Sequence, residues 1–234
     1  MSADHQPGPL IGAGRAADVY ALDGDRVLRR YRRGRSAEPE AAVMTYLEQA
    51  GYPVPRVYDA SGPDLILQRL DGRDMLADLM GRPWLARRHA QTLAGLHDRL
   101  HAIAAPPALP VRFGPGDRVL HLDLHPANVM LTSAGPVVID WSNVGAGPPA
   151  ADVAMAWLIM ATSEIEPAPP PWLRPALVAI RATFVRRFRA LAGDDPGPEL
   201  ARVARQRMTD PNVRPAEAAR LRAIAEAGSP PAAR

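Results

Sequence analysis

Apolar positions along the chain change their period near residue 70. From Leu10 to Leu70 they come in short runs bounded by Gly, Asp and Pro, which is the pattern of strands and turns. Two strands flank Gly12-Ala13-Gly14, and the turn Asp23-Gly24-Asp25 leads into a third at Val27–Tyr31. A helix is predicted from Pro39 to Ala50. Pro39 suits its first turn, where no amide hydrogen is needed, and Gly51 marks its stop. Val57-Tyr58 and Leu65–Gln68 read as two more strands, and Asp71-Gly72 as a break.

After that break the helical period takes over. Leu85, Leu93, Leu96, Leu100 and Ile103 fall on one helical face. Three short apolar strands follow around a loop, at Val119–Leu122, Asn128–Leu131 and Val137–Ile139. Val153–Ala161 is apolar on every side and reads as a buried helix. Leu173, Leu177, Ile180, Phe184, Phe188 and Leu191 mark an amphipathic helix, and Pro215–Ala227 a last one. The organisation expected is a disordered N-terminus (1–9), a small antiparallel sheet lobe with one helix (10–70), a mostly helical lobe (71–227) and a disordered tail (228–234). The fold class is α+β.

Composition narrows the chemistry. The 234 residues contain no cysteine, which excludes disulfides and thiolate catalysis. All 28 basic residues are arginine, so the sequence pI near 9.8 reflects groups that never lose their proton rather than a nucleic-acid face. No basic run is interleaved with aromatics, and no nucleic acid is expected as a partner. Met1–Pro9 lacks the apolar core of a signal peptide, and Val153–Ala161 is too short to span a bilayer. A cytoplasmic protein with no membrane partner is the expectation. The pattern leaves the choice between monomer and homodimer open.

The strongest chemical signal is His121-Leu122-Asp123-Leu124-His125-Pro126-Ala127-Asn128, followed by Val137-Val138-Ile139-Asp140-Trp141. Phosphoryl transfer needs a carboxylate beside the attacking hydroxyl and oxygen ligands for a magnesium ion on the phosphates. An Asp and an Asn five residues apart on one loop can supply the base and one ligand. An Asp closing a buried strand can supply another. The spacing H-x-D-x-x-x-x-N is that of a kinase catalytic loop.

This segment resembles the aminoglycoside phosphotransferase and choline kinase-like family, the small-molecule branch of the bilobal protein kinase-like fold. The resemblance runs from Leu10 to about Ala227 and is densest from Val119 to Asp152. It implies Asp123 as catalytic base, Asn128 and Asp140 as Mg²⁺ ligands, and His121 as a scaffold residue of the catalytic loop. It also implies that Asp152, at the start of the apolar helix, braces that loop. In the first lobe it implies a shortened glycine-rich loop at Gly12 and Gly14. Strand periodicity puts Val27 and Arg29 on one face, which suits a nucleobase and its phosphates respectively. Glu40 shares the apolar stripe of its helix with Val43, Met44 and Leu47, whereas Glu38 points elsewhere, so Glu40 is assigned as the partner of Arg29. Arg29 stands where the family usually has Lys. Gln68-Arg69-Leu70 is, by resemblance, the hinge whose backbone meets the base.

The function expected is transfer of the γ-phosphoryl group of ATP (or GTP), with Mg²⁺, to a hydroxyl of a small molecule such as an aminoglycoside or other antibiotic, an amino alcohol or an amino sugar. A protein kinase is disfavoured: only eleven residues separate Asp140 from Asp152, too few for a long activation segment. Two other readings stay open: a nucleotide-binding protein without turnover, and a zinc hydrolase using His121, Asp123 and His125 as an H-x-D-x-H site. Glu164, Glu166 and Trp172 are the candidate acceptor contacts. His97 and His101 flank an apolar face and read as surface or boundary histidines, and His89 as a satisfied core histidine.

Overall fold

A computed structural model describes residues 7–14, 16–164 and 170–227. In chain order the elements are β1 (Leu10–Ala13), β2 (Ala17–Ala21), β3 (Arg26–Tyr31), α1 (Glu38–Gln49), β4 (Val57–Ser61), β5 (Asp64–Gln68) and β6 (Arg73–Asp74). Then come α2 (Met75–Gly81), α3 (Ala86–His101), β7 (Arg118–Leu120), β8 (Val129–Thr132), β9 (Gly135–Val138) and β10 (Gly145–Gly147). The remainder is helical: α4 (Pro149–Thr162), α5 (Arg174–Leu191), α6 (Leu200–Arg207) and α7 (Pro215–Ala227). Among the described residues no helix is long and apolar enough to cross a membrane.

The chain divides into two compact units. One holds residues up to Arg73 together with Val129–Ser142; the other holds Asp74–Asn128 and everything from Asn143. The single boundary at residue 70 expected from the sequence therefore misses a return. The β8–β9 hairpin groups with the first unit because Val138 donates its amide to Pro53 O at 2.8 Å and Trp141 packs edge-on to Tyr52.

The first unit is an antiparallel sheet in the order β1-β2-β3-β5-β4, with α1 packed beside it. β3 is central: Arg29 pairs with Val19 on one side and Leu65 on the other. Leu28, Leu65 and Ile66 carry the sheet's core, and Met44 and Leu47 carry that of α1. α1 begins one residue before the expected Pro39 and ends one before Ala50, with Gly51 in the left-handed region. Gly14 is required at the β1–β2 turn. Its amide donates to Ala17 O at 2.9 Å, and a Cβ would sit 2.9 Å from that same oxygen. Gly12 is under no such demand, since a Cβ there would meet Val19 only at 3.6 Å.

The second unit is built on α4, which is buried over nearly its whole length, from Ala151 to Ile159. α3 lays Ala90, Leu93, Leu96 and Leu100 inward, and α5 lays Leu177, Phe184 and Phe188. Each such side chain contributes about 1.5–3 kcal/mol on burial, so this packing outweighs weak local preferences. It also takes in His97 and His101. Both are buried, not at the surface as expected, because Phe188 and the start of α4 cover the edge of α3 on which they lie. His89 is a buried histidine bonded to Asp78, which Arg82 also holds. Four elements gave no clear sequence signal: the two-residue strand β6, α2, α6 and the Gly-Ala-Gly strand β10, which pairs with β7.

Candidate active site

In the first unit, one buried acid gathers three donors. Glu40 Oε1 accepts from Arg29 Nη1 at 2.6 Å and from the Trp141 amide at 2.9 Å, and Oε2 accepts from the Tyr31 hydroxyl. The second arm of the Arg29 guanidinium reaches Asp140 Oδ1, also at 2.6 Å. The planar fork of arginine makes this bridge between two carboxylates, which a point-charge ammonium would make less directionally. Burial pushes the Glu40 carboxyl up, against the pull of the Arg29 charge. Burial works to lower the Arg29 pKa, but the charges of Glu40 and Asp140 outweigh it and hold it above the usual arginine value. Glu38 is exposed and bonds to Ser36 and to the Gly62 amide.

Asp140 itself has φ 65°, the left-handed region that Asp tolerates better than most residues. The following Trp141 is fully buried and its indole donates to Val138 O at 3.1 Å. Of the expected hinge, Gln68 donates its amide to Arg56 O and Arg69 donates its amide to Asp25 O at 2.7 Å. Those two backbone donors are engaged within the unit. Val27 is buried on β3.

In the second unit, the loop after β7 is held by its own polar atoms. Asn128 Nδ2 donates to Asp123 O at 2.8 Å and to Asp123 Oδ2 at 3.1 Å. Both donors of that amide point at Asp123, so its oxygen is turned the other way and is the side chain's metal-competent atom. Asp123 donates its amide to His121 Nδ1, and His125 Nδ1 accepts the Ala127 amide. These histidine nitrogens shape the loop. Among the described residues no group of three His or acidic side chains is arranged to hold a metal, so the zinc reading of His121, Asp123 and His125 gains nothing from the geometry.

Leu122 has φ 63°, a conformation that costs a bulky residue of order 1–3 kcal/mol and persists only where its surroundings impose it. Asp152 imposes it. This fully buried carboxylate accepts the Leu122 amide at 2.6 Å and the His121 amide at 3.1 Å. Its third partner is His101, whose Nε2 lies 3.1 Å from Oδ2. Burial would raise the Asp152 pKa, but the hydrogen bond and charge of His101 hold it well below the carboxylate range. The other nitrogen of His101 faces Asp194. Sequence spacing gave no sign of His101 or Asp194 in this role. They lie 51 and 42 residues from Asp152 in the chain, and only the packing of α3, α4 and the end of α5 brings them together.

The candidate acceptor residues fall elsewhere. Thr162, the last residue of α4, is about 15 Å along the helix from Asp152 at 1.5 Å per residue, and Glu164 lies beyond it. Glu164 sits 3.9 Å from Arg214, and Arg220 and Arg181 cap the carbonyls of Thr162 and Ser163. Among the described residues, that end of α4 gathers three arginines. Trp172 is 77% exposed, and Glu166 lies outside the described residues.

The family model described as APH, the phosphotransferase enzyme family, matches residues 8–117 and 100–187 of the chain. No curated protein matches it. Several solved structures share the fold. A thermostable mutant of aminoglycoside phosphotransferase APH(4)-Ia, in a ternary complex with AMP-PNP and hygromycin B, superposes with a TM-score of 0.63 at 19% identity, covering 94% of this chain and 92% of that one. The gentamicin complex of APH(2")-IIa gives 0.60 at 13% identity, over 83% and 79% of the two chains. A choline/ethanolamine kinase family protein from Mesorhizobium loti gives 0.54 at 16%, over 97% and 87%. The α+β, protein kinase-like fold is common to all of them.

Proposed function

The chain belongs to the phosphotransferase enzyme family, and on that premise we propose that it moves the γ-phosphoryl group of ATP, or GTP, to a hydroxyl of a small molecule. The observation that carries this reading is the catalytic loop. Its Asp123 is part-exposed, tethered by Asn128, and follows a left-handed residue that Asp152 holds in place. A carboxylate so fixed is suited to take the proton of an acceptor hydroxyl. The new O–P bond forms as the bond to the nucleoside diphosphate breaks, and Asp123 accepts the proton.

Asn128 and Asp140 offer the hard oxygen donors that Mg²⁺ takes, and we assign both as its ligands. When bound, the ion would neutralise phosphate charge. Arg29 is the cation we assign to the nucleotide phosphates, with Glu40 as its anchor. Gly12 and Gly14 would let backbone approach those phosphates. Val27 and the Gln68–Leu70 segment would flank the base, with Leu70 and carbonyls giving its polar contacts. The reaction is placed in the cytoplasm, where both the triphosphate and Mg²⁺ are plentiful.

A second reading, a nucleotide binder without turnover, is favoured by one observation: both arms of Arg29 are held by carboxylates. Thermal-shift titration with ATP and GTP, with and without Mg²⁺, comes first. A Mg²⁺-dependent rise in melting temperature is expected by mass action, and none at millimolar nucleotide would sink both readings. Nucleoside diphosphate release is then followed across amino alcohols, sugars and aminoglycosides. Asp123→Asn should cut turnover by about 10²–10⁴ while the nucleotide shift survives. A shift with no turnover on any acceptor would favour the second reading.

A further inference from the structure

His101 is buried between two carboxylates. Its Nε2 lies 3.1 Å from Asp152 Oδ2 and its Nδ1 lies 3.2 Å from Asp194 Oδ2. A carboxylate only accepts, and a neutral imidazole has a single N–H. Both contacts are hydrogen bonds only when the ring carries two protons. Geometry therefore asks for an imidazolium here, on a side chain that is only 4% exposed.

The other groups around the ring are arranged to allow it. His97, one turn back on α3, has its ring centre 5.8 Å away and would repel a second charge. It stays neutral: burial lowers its pKa to about 4, and its Nδ1–H donates to Leu93 O. Phe188 of α5 closes the far side of His97. His121 uses Nδ1 as an acceptor for the Asp123 amide and gives its own amide to Asp152. Asp98, on the same helix, accepts the Gly193 amide at 2.9 Å and so ties down the segment that carries Asp194. Asp195 is turned to Arg189. Burial disfavours the charged ring, but the hydrogen bond and charge of Asp152, and then Asp194, raise its pKa above the usual histidine value.

We propose that His101 is a positioning residue of the catalytic loop, a doubly protonated clamp that fixes Asp152 where it receives the His121 and Leu122 amides, and that Asp194 keeps the clamp closed as the pH rises. The proposal rests on the reading of Asp123 as the base, because the left-handed Leu122 that Asp152 holds immediately precedes it. Loss of the second proton leaves one N–H for two carboxylates. One contact then sets lone pair against lone pair, and the brace under the loop loosens.

The test compares the full-length protein with Asp194→Asn and His101→Gln between pH 6 and 9. Histidine side-chain nitrogen spectra report the ring. Hydrogen exchange of residues 119–124, corrected for the intrinsic pH dependence, reports the loop. Hydrolysis of MgATP without acceptor gives kcat and KM. The expected wild type has His101 doubly protonated at pH 7, with loop protection and kcat falling at the pH where that ring titrates while KM for ATP holds. Asp194→Asn moves the ring and loop midpoints down together and leaves pH 6 protection intact. His101→Gln removes the midpoint and lowers protection about tenfold or more, as loss of one charge-assisted hydrogen bond implies. A singly protonated ring at pH 7 overturns the proposal. So does a loop midpoint that Asp194→Asn leaves in place, or wild-type protection in His101→Gln. The spectra and exchange need no turnover. A wild type that neither binds nor hydrolyses MgATP therefore refutes the kinase reading on separate evidence.

Discussion

Glu40→Ala removes the acceptor shared by three buried or part-buried donors. Arg29 keeps Asp140 but loses its better-buried partner, and its side chain is only 11% exposed. Breaking a buried ion pair by removing one member costs about 3–5 kcal/mol, and the surviving Asp140 contact puts this case at the low end. The Trp141 amide and the Tyr31 hydroxyl are left without that acceptor, each worth about 1–3 kcal/mol if nothing replaces it. The losses share one side chain and do not add, so the expected total is about 4 kcal/mol. Against a total stability of about 5–15 kcal/mol this is severe. For a chain of this size it lowers the melting temperature by about 8–16 °C. Urea unfolding by intrinsic fluorescence measures it, since Trp141 lies in the affected unit. Glu38→Ala, two residues away and exposed, should stay within about 0.5–1 kcal/mol of wild type. Glu40→Ala combined with Arg29→Met should recover much of the loss, because no buried charge is then stranded and Asp140 is exposed enough to be solvated. A Glu40→Ala cost below about 1 kcal/mol, or an equal cost for Glu38→Ala, would refute the reasoning.

Other perturbations test the second unit. His97→Leu should leave stability unchanged or improved at pH 7, because its Nε2 has no hydrogen-bond partner among the described residues. His97 also binds a proton more readily unfolded than folded, since burial lowers its pKa from 6.5 to about 4. Its contribution is therefore full above pH 6.5 and declines towards pH 4, by on the order of 3 kcal/mol; urea midpoints through that window should flatten in His97→Leu. For Asp152 the folded pKa is depressed, so its stabilisation is present above the ordinary carboxylate value and lost as pH falls through the folded one. Asp152→Asn should cost about 1.5–3 kcal/mol at pH 7 and weaken the acid limb of the stability curve. Glu164→Gln should leave the KM of any acceptor found by screening unchanged, given its distance along α4 from Asp152 and its place beside Arg214.

What could be read from the chain depended on whether side chains or packing carried the information. Pro39 and Gly51 bracket α1 because each acts through its own backbone, and the helix ends fall within a residue of the expected ones. The Arg29–Glu40 contact follows from two periods, that of a strand and that of a helix, which local chemistry sets. β10 was illegible because Gly-Ala-Gly has no side-chain pattern. It is a strand only because β7 and the Pro110–Arg112 backbone lie against it. α6 is short, half polar, and only Leu200, Val203 and Ala204 turn inward. His97 and His101 looked like boundary residues because period alone cannot say that Phe188 and Asp152 will cover them. The return of Val129–Ser142 to the first unit is a long-range choice, made by Tyr52, Pro53 and Glu40 against residues some 85 to 100 positions later.

β10 also bears on which residues the chain tolerates ahead of α4. Just ahead of α4 the chain is held on both sides. Gly145, Ala146 and Gly147 are laddered to Leu120, Val119 and Arg118. The Ala146 amide and carbonyl bond to Pro110 and Arg112. A Cβ at Gly145 or Gly147 would lie 2.9 Å from Pro110 O or 2.2 Å from Arg112 O. The stretch is a seam, stitched to β7 on one side and to Pro110 and Arg112 on the other. Neither Gly145 nor Gly147 can take a side chain without lifting this strand off the Pro110–Arg112 backbone.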